Sequence, residues 1–496
     1  MKVPSSIALV VSIHSVPSCL LPWATSDPVL TGFLQCLPKQ SQPTYPIFEA
    51  IFTHDNTLFQ SVLQHYIRNS RFLTPTTPKP LAIVAAKHES HVQATVICVK
   101  QHGLQIRLRS GGHDYEGLSY ASAVPFVILD MFNLRAIDVN LADESAWVQS
   151  GATLGELYYE IANKSEVHGF TAGACLTVGA GGHFSGSGYG PMMRKYGLTV
   201  DNIEDAKLVN VKGTILDRKS MGDDLFWAIR GGEQGATDVA YKWQYVAPKL
   251  PDNIVIRAQP IVISNKGKKT VKVSFIRLFL GQSDKLLPLM NESFPELGLQ
   301  QKDCFQMSWI ESTVLWGNYP VGTPINVLLE RPNGSVFFFK VKSDYVKESI
   351  PKQGLESLWQ MMLKVEKVML QWNPYGGRMS QFSESDTPFP HRAGNLFLIH
   401  YWIHWSEEGS EIANKYIDLS RKLYEGMAPI VSKSPREAFQ NYRDPDIGAN
   451  LPNKTSFQTA EVFGRKYFRG NFDRLAKQHL SASKHLMIGL VWVLTS

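Results

Sequence analysis

From residue 82 to about 247 the chain alternates short runs of strand character with helical pieces. "LAIVAA", "LQIRLRS", "PFVILDM", "AWVQSG" and "AKLVNVKGTILD" are apolar or two-residue periodic, whereas "TLGELYYEIANKS" repeats its apolar positions at helical spacing. Such switching between periods predicts an α+β region. The proline-bearing "APKLPDN" closes it as a linker. Between about 250 and 430, "TVKVSFIRLFLG", "SVFFFKVKSDYV" and "NLFLIHYWIHW" read as long strands. "GLESLWQMMLKVEKVML" and "EIANKYIDLSRKLYEGM" read as amphipathic helices, so this lobe is expected to be an antiparallel sheet with one face under helices. Residues 431–478 are rich in aromatics and arginine. The last stretch, "LSASKHLMIGLVWVLTS", differs in character and is too short in its apolar run to span a bilayer. Residues 479–496 are therefore read as an atypical tail.

Composition narrows this picture. A chain of 496 residues exceeds one compact core and should divide into two or three lobes; the pattern places the divisions at 27–248, 249–430 and 431–478. The formal charge of +6 is mild, and no Lys/Arg block is dense enough to neutralise a run of phosphates, which argues against nucleic acid as a partner. Lys2 followed by "IALVVSIHSVPSCLLPWATS" has the layout of a secretory signal peptide over residues 1–26, with cleavage near Ala24 to Asp27. Pro17 and Pro22 argue against a membrane span there. Export to the cell exterior, wall or vacuole follows, and sequons at Asn163, Asn291, Asn333 and Asn453 fit a glycosylated product. In an oxidising compartment some of Cys36, Cys98, Cys175 and Cys304 can pair.

Two stretches hold reactive side chains between glycines. "RLRSGGHDYEGLSY", residues 107–120, places His113 behind Gly111 and Gly112; "TAGACLTVGAGGHFSGSGYG", residues 171–190, places Cys175 in a run where glycine recurs at nearly every second position. Taken alone, His113 is compatible with a turn, a metal or chemistry. A metal is the weakest of these, since "SGGHDYEG" offers only Asp114 and Glu116 nearby. The glycine run suits close approach of backbone N–H groups to a large polar ligand such as a pyrophosphate. It is neither a dinucleotide fingerprint nor a Walker loop. An idle thiol is a liability in a secreted protein, so imidazole and thiol together suggest that one ligand consumes both.

These stretches, with "GGHFSGSGYGPMMRKYGLTVDNI", "SDYVKESI", "PYGGRMSQFSESDTPFPHRAGNLF" and "NYRDPDIGAN", resemble the plant berberine bridge enzyme-like family of FAD-linked oxidases from about residue 30 to 478. The resemblance implies a two-lobed FAD-binding domain of the PCMH type, as in vanillyl-alcohol oxidase, plus an antiparallel-sheet substrate domain covered by helices and a C-terminal segment that returns to the FAD domain. It implies FAD attached twice, through His113 and Cys175, which raises the flavin potential and favours hydride transfer from substrate. Arg109, Ser110, Gly111, Gly112, Asp114, Ser119, Val178, Gly179, Gly181, Gly182 and His183 fall on cofactor-binding positions, and Cys36 and Cys98 on the family disulfide. Tyr115 matches a substrate-contacting tyrosine, Tyr189 the base of alcohol-oxidising members and Tyr442 that of cannabinoid-forming members. Val178 stands where a small residue leaves oxygen room near the flavin, so the expectation is a monomeric oxidase of a small alcohol, phenol or carbohydrate that makes hydrogen peroxide from O2.

The departures bear on activity. Relatives read "NLYKIQY" where this chain reads "NLFLIHY", so Leu398 replaces the lysine that activates the tyrosine base and His400 replaces a glutamine. An imidazole with its ordinary pKa near ~6.5 could serve as the base instead. Phe439 stands where a tyrosine is usual. Glu233, Gln234 and Asp238 replace glycines expected to approach the cofactor phosphates, and the family ending is absent after Lys477. A catalytically impaired flavin-fold binding protein is therefore the alternative; a metal-dependent hydrolase fares worst, with no metal triad or nucleophile elbow in the sequence.

Overall fold

The continuous apolar runs Ala82–Ala85 and Phe126–Asp130 become strands buried along their whole length, as strands covered on both faces must be. In the computed structural model, which describes residues 27–210, 212–220, 238–265, 268–331, 337–449, 456–481 and 488–495, they belong to a four-stranded sheet. Its order is β1 (Ile51–Thr53), β2 (Ala82–Ala85), β4 (Phe126–Asp130), β3 (Gln105–Arg109). β2, β4 and β3 run parallel, and the helix Glu89–Gln101 crosses from β2 to β3. Phe33 and Leu37 of the helix Pro28–Gln40 pack with Val92, Val96 and Leu129 beside it. Cys36 and Cys98 join these two helices in a disulfide, their Cα atoms 5.8 Å apart. Signal-peptide residues 1–26, together with Glu233, Gln234, Asn333 and Asn453, lie outside the described residues; Asn163 and Asn291 are exposed, and Asp238 opens the helix Asp238–Val246.

A second sheet is antiparallel throughout, in the order β5 (Ile137–Asn140), β6 (Ser145–Gln149), β14 (Ile488–Thr495), β7 (Ile203–Val209), β8 (Ile215–Leu216). The atypical tail thus supplies a strand of this sheet. Val491–Thr495 pairs with Ser145–Gln149 on one side and Ile488–Leu494 with Ile203–Val209 on the other. An eight-residue apolar run is short for a membrane but ordinary for a strand. The helix Leu154–Lys164 is started by a capping box between Thr153 and Glu156.

The third sheet has the order β10 (Lys268–Phe279), β9 (Ile254–Asn265), β12 (Val368–Pro374), β13 (Phe397–Trp405), β11 (Phe338–Val346), again antiparallel. β9 escapes the sequence pattern because Pro260 sits at its middle, where a proline ordinarily demotes a strand; it nevertheless pairs with β10 from Ile254 to Asn265. The expected helix through "VEKVML" ends at Val365, where Glu366 turns to φ 64°, and "VML" opens β12 instead. Helices Lys352–Val365 and Ser410–Gly426 cover one face, burying Leu358, Met362 and Leu423 with Trp372 and Tyr401. The opposite face shares a core with the second sheet: Val341, Tyr345 and Leu398 belong to one buried cluster with Ala146, Val148 and Ile203. Among the described residues no helix is long and apolar enough to cross a membrane.

Candidate functional site

The loop after β3 and the glycine run meet backbone to backbone. A Cβ on Gly111 would lie 2.4 Å from the Gly179 nitrogen, and one on Gly179 would lie 2.0 Å from Ser110 Oγ. Gly112, at φ +70°, would strike the Tyr66 carbonyl at 2.2 Å. The two glycines before His113 thus let protein segments abut where any side chain would clash. Gly181 packs on Ser150, while Gly182 faces open space. Ser110 Oγ donates to the Ser150 carbonyl at 2.5 Å. Across this seam His113 Nε2 lies 2.9 Å from Thr177 Oγ1, and Cys175 Sγ lies 4.0 Å from the same oxygen. The imidazole and thiol, 62 positions apart in the chain, therefore converge on one hydroxyl. Thr177 was not singled out in the sequence; its only signal is its place two residues after the cysteine.

Both groups are uncharged at neutral pH. Burial, reinforced by Arg68, lowers the His113 pKa to about 3. The Cys175 side chain is reachable from the cleft, yet the protein around it raises its pKa by desolvation, against a weaker pull from Thr177. His183 accepts the Gly173 N–H at 3.1 Å and is lowered to about 4 by burial, so it is a neutral post holding the Cys175 loop. Val178 ties into the same loop, donating to the Cys175 carbonyl and accepting from Leu154 N–H. Arg109 does not reach the cleft. It is fully buried, 2.7 Å from Asp130 Oδ2, and donates to the carbonyls of Val62 and Leu63. Asp114 accepts the N–H groups of Glu116 and Leu118, bending the loop, and Ser119 is half-buried in the following turn.

Facing this seam is an aromatic cluster. The Tyr189 and Tyr442 hydroxyls share a hydrogen bond. Tyr115 lies 5.7 Å from the Tyr442 ring and 6.2 Å from His400, which stacks on Tyr442 at 4.2 Å. Burial raises the Tyr115 phenol well above its usual pKa, keeping it protonated and a donor. His400 is 6% exposed, neither ring nitrogen has a partner among the described residues, and burial followed by Arg257 lowers its pKa to about 3. The expected ordinary imidazole pKa does not hold, so His400 is a poor base and a neutral hydrogen-bonding group. Leu398 and Phe439 are buried in the surrounding apolar core, with no hydroxyl or cation to offer.

A salt-bridge cluster fastens these parts. Lys340 of β11 lies 2.7 Å from Glu116 and 2.8 Å from Asp444, and Lys342 lies 2.6 Å from Asp444 and 2.7 Å from Asp446. The "DYEG" and "NYRDPD" motifs are thereby held on one strand. Asn441 reaches the glycine run as well, since a Cβ on Gly186 would fall 1.4 Å from its Oδ1.

Comparison with known proteins places this geometry. An FAD-binding domain family matches residues 80–218, and a family described as berberine and berberine like matches residues 438–477. Berberine bridge enzyme-like 4 of Arabidopsis thaliana is 48% identical over 511 residues, covering 96% of this chain and 95% of that protein. The chain belongs to the berberine bridge enzyme-like family. The solved structure of Arabidopsis thaliana BBE-like #28 superposes on this family member with a TM-score of 0.84 at 39% identity, over 92% of this chain and 97% of that one. The grass pollen allergen Phl p 4, with glucose dehydrogenase activity, gives a TM-score of 0.83 at 38% identity over 91% and 96% of the two chains.

Berberine bridge enzyme-like proteins are FAD-dependent oxidoreductases, and the residues present here fit that cofactor. Ser150 Oγ is buried beside Gly181 without a partner among the described residues, as a group awaiting a polar ligand would be. Gly182, Ser150 and the seam around Thr177 would hold it.

Proposed function

We propose that this protein is a secreted oxidase of a small alcohol, with FAD attached through both His113 and Cys175 and O2 as electron acceptor. The observation that carries this reading is the convergence of His113 Nε2 and Cys175 Sγ on Thr177 Oγ1 beside the Gly111–Gly179 seam. When bound, FAD supplies the two-electron acceptor that takes hydride from the alcohol carbon and delivers the electrons to O2 as hydrogen peroxide. The chain's own residues handle the proton. Tyr115, kept protonated by burial, donates a hydrogen bond that orients the substrate oxygen. The alcohol proton passes to the Tyr189–Tyr442 pair, in which a hydrogen bond from one phenol steadies the oxyanion of the other. This hydroxyl pair takes the place of the lysine that Leu398 removes. Val178 leaves room for oxygen at the loop carrying Cys175.

Acid-precipitated protein from a secretory host should stay yellow, and mass spectrometry should find one flavin bridging the His113 and Cys175 peptides. Colourless protein would favour the non-catalytic binding-protein reading. Anaerobic, substrate-reduced enzyme should reoxidise promptly in air; persistence of the reduced form would make it a dehydrogenase.

A further inference from the structure

One cation beside the tyrosine cluster is not used by the chemistry above. Arg257 sits on β9, half-buried, at the same end of the sheet as Asn373 of β12. Its Nε donates to Asn373 Oδ1, and its guanidinium lies 4.8 Å from the Trp316 ring centroid. Among the described residues no carboxylate forms an ion pair with it, whereas Arg109, Arg392 and Arg436 are each paired with an aspartate. A guanidinium drawn partly out of water without an anion is incompletely satisfied.

Its neighbours on the same sheet face are also left wanting. Asn373 opposes Leu398 and Gln371 opposes His400 across β12 and β13, so the four residues form a row on the face turned to the tyrosines. Asn373 Nδ2 is buried with no partner among the described residues, as are both nitrogens of His400. Trp316 links the outer end of the row to the cofactor side, because it lines an apolar pocket with Gly173 and Ala174, the residues before Cys175. Polar groups without partners among the described residues therefore run from His400, beside the tyrosine pair, to Asn373, and the guanidinium of Arg257 without a carboxylate adjoins them.

We propose that Arg257 and Asn373 bind a carboxylate carried by the substrate, so that the preferred substrate is an acidic alcohol. Its oxidisable carbon lies at the tyrosine cluster and its carboxylate at the far end of the row. The proposal rests on the oxidase reading above for the alcohol, but the anion site itself stands on the unpartnered donors. A planar guanidinium offers two parallel N–H groups to a carboxylate, and Asn373 Nδ2 adds a third donor. A neutral alcohol would leave those donors unmet, which is a strong basis for discrimination.

The test is calorimetric binding of benzoate and of its neutral counterpart benzamide to the full chain, followed by turnover of matched alcohols with and without a carboxylate. Benzoate should bind at least about tenfold more tightly. Arg257→Gln should abolish that preference, and Arg257→Lys should keep part of it. Turnover should show the same preference in KM rather than kcat. Equal binding of the two probes by the natural protein, or a preference that survives Arg257→Gln, overturns the proposal. If Arg257→Gln fails to fold, the natural protein and Arg257→Lys still decide it. Benzoate preference without oxidation of any alcohol would sustain the anion site and defeat the oxidase reading; oxidation indifferent to charge would do the reverse.

Discussion

Tyr189 and Tyr442 meet hydroxyl to hydroxyl, so either phenol removed alone takes that hydrogen bond from the other. Tyr442→Phe and Tyr189→Phe should each lower kcat by roughly 100-fold or more, with KM changed much less. The double variant should be scarcely worse than either single one, because the two act as a unit. Steady-state kinetics on the three variants checks this. His400 behaves differently. Its pKa of about 3 in the fold lies below the value near ~6.5 of the unfolded chain. Between those values only the unfolded chain takes up the proton, so His400 lowers stability as pH falls and has no such effect above pH ~6.5. His400→Gln should therefore gain Tm relative to the natural protein at pH 5, by an amount equivalent to roughly 2 kcal/mol, and lose that relative gain at pH 8. The residue types at these positions were legible in the sequence. The state of His400 was not, because an imidazole's pKa depends on how much water and charge the fold leaves around it.

At the scale of elements, β11 organises the site through side chains that no motif marked. Lys342 is 1% exposed and sits between Asp444 and Asp446. Removing it leaves a fully buried aspartate short of a cation, and breaking a buried pair in this way costs about 3 kcal/mol or more. Lys342→Met should accordingly lower Tm and, by loosening the segment that bears Tyr442, lower kcat; chemical denaturation and turnover measure the two effects. The same cluster sets an acid limit. Burial alone would raise the Asp446 carboxyl, but hydrogen bonds from Arg421 and Lys342 outweigh it and hold the pKa below the ordinary carboxylate range. Its stabilisation is then complete above pH ~4 and fades as pH falls below that value. Melting curves should show the natural protein's advantage over Asp446→Asn shrinking at the acid end. The helix that gives way to β12 teaches the same lesson. Apolar spacing through "VEKVML" continues the helical pattern, and only the turn at Glu366 with the vacancy beside β13 makes a strand of it.

At the scale of the molecule, β14 closes the second sheet between β6 and β7. A chain truncated after Ser481 would expose two strand edges and lose ladder bonds on both. It should fail to accumulate as soluble protein or melt well below the full chain, and hydrogen exchange along Ile203–Val209 should lose its protection; unaltered protection would show that the strand is dispensable. By itself the sequence determined the family, the pairing of His113 with Cys175 as candidate anchors, the α+β class and most strand and helix segments, because local periodicity and short motifs are properties of neighbouring residues. The tertiary structure alone decided that Gly111 and Gly179 abut each other, that Arg109 is spent on Asp130, that His400 is neutral, that Arg257 has no carboxylate partner among the described residues and that the C-terminal run is a central strand. Each of these depends on what a distant segment places alongside, and burial and contact across such distances leave no periodic mark in the chain.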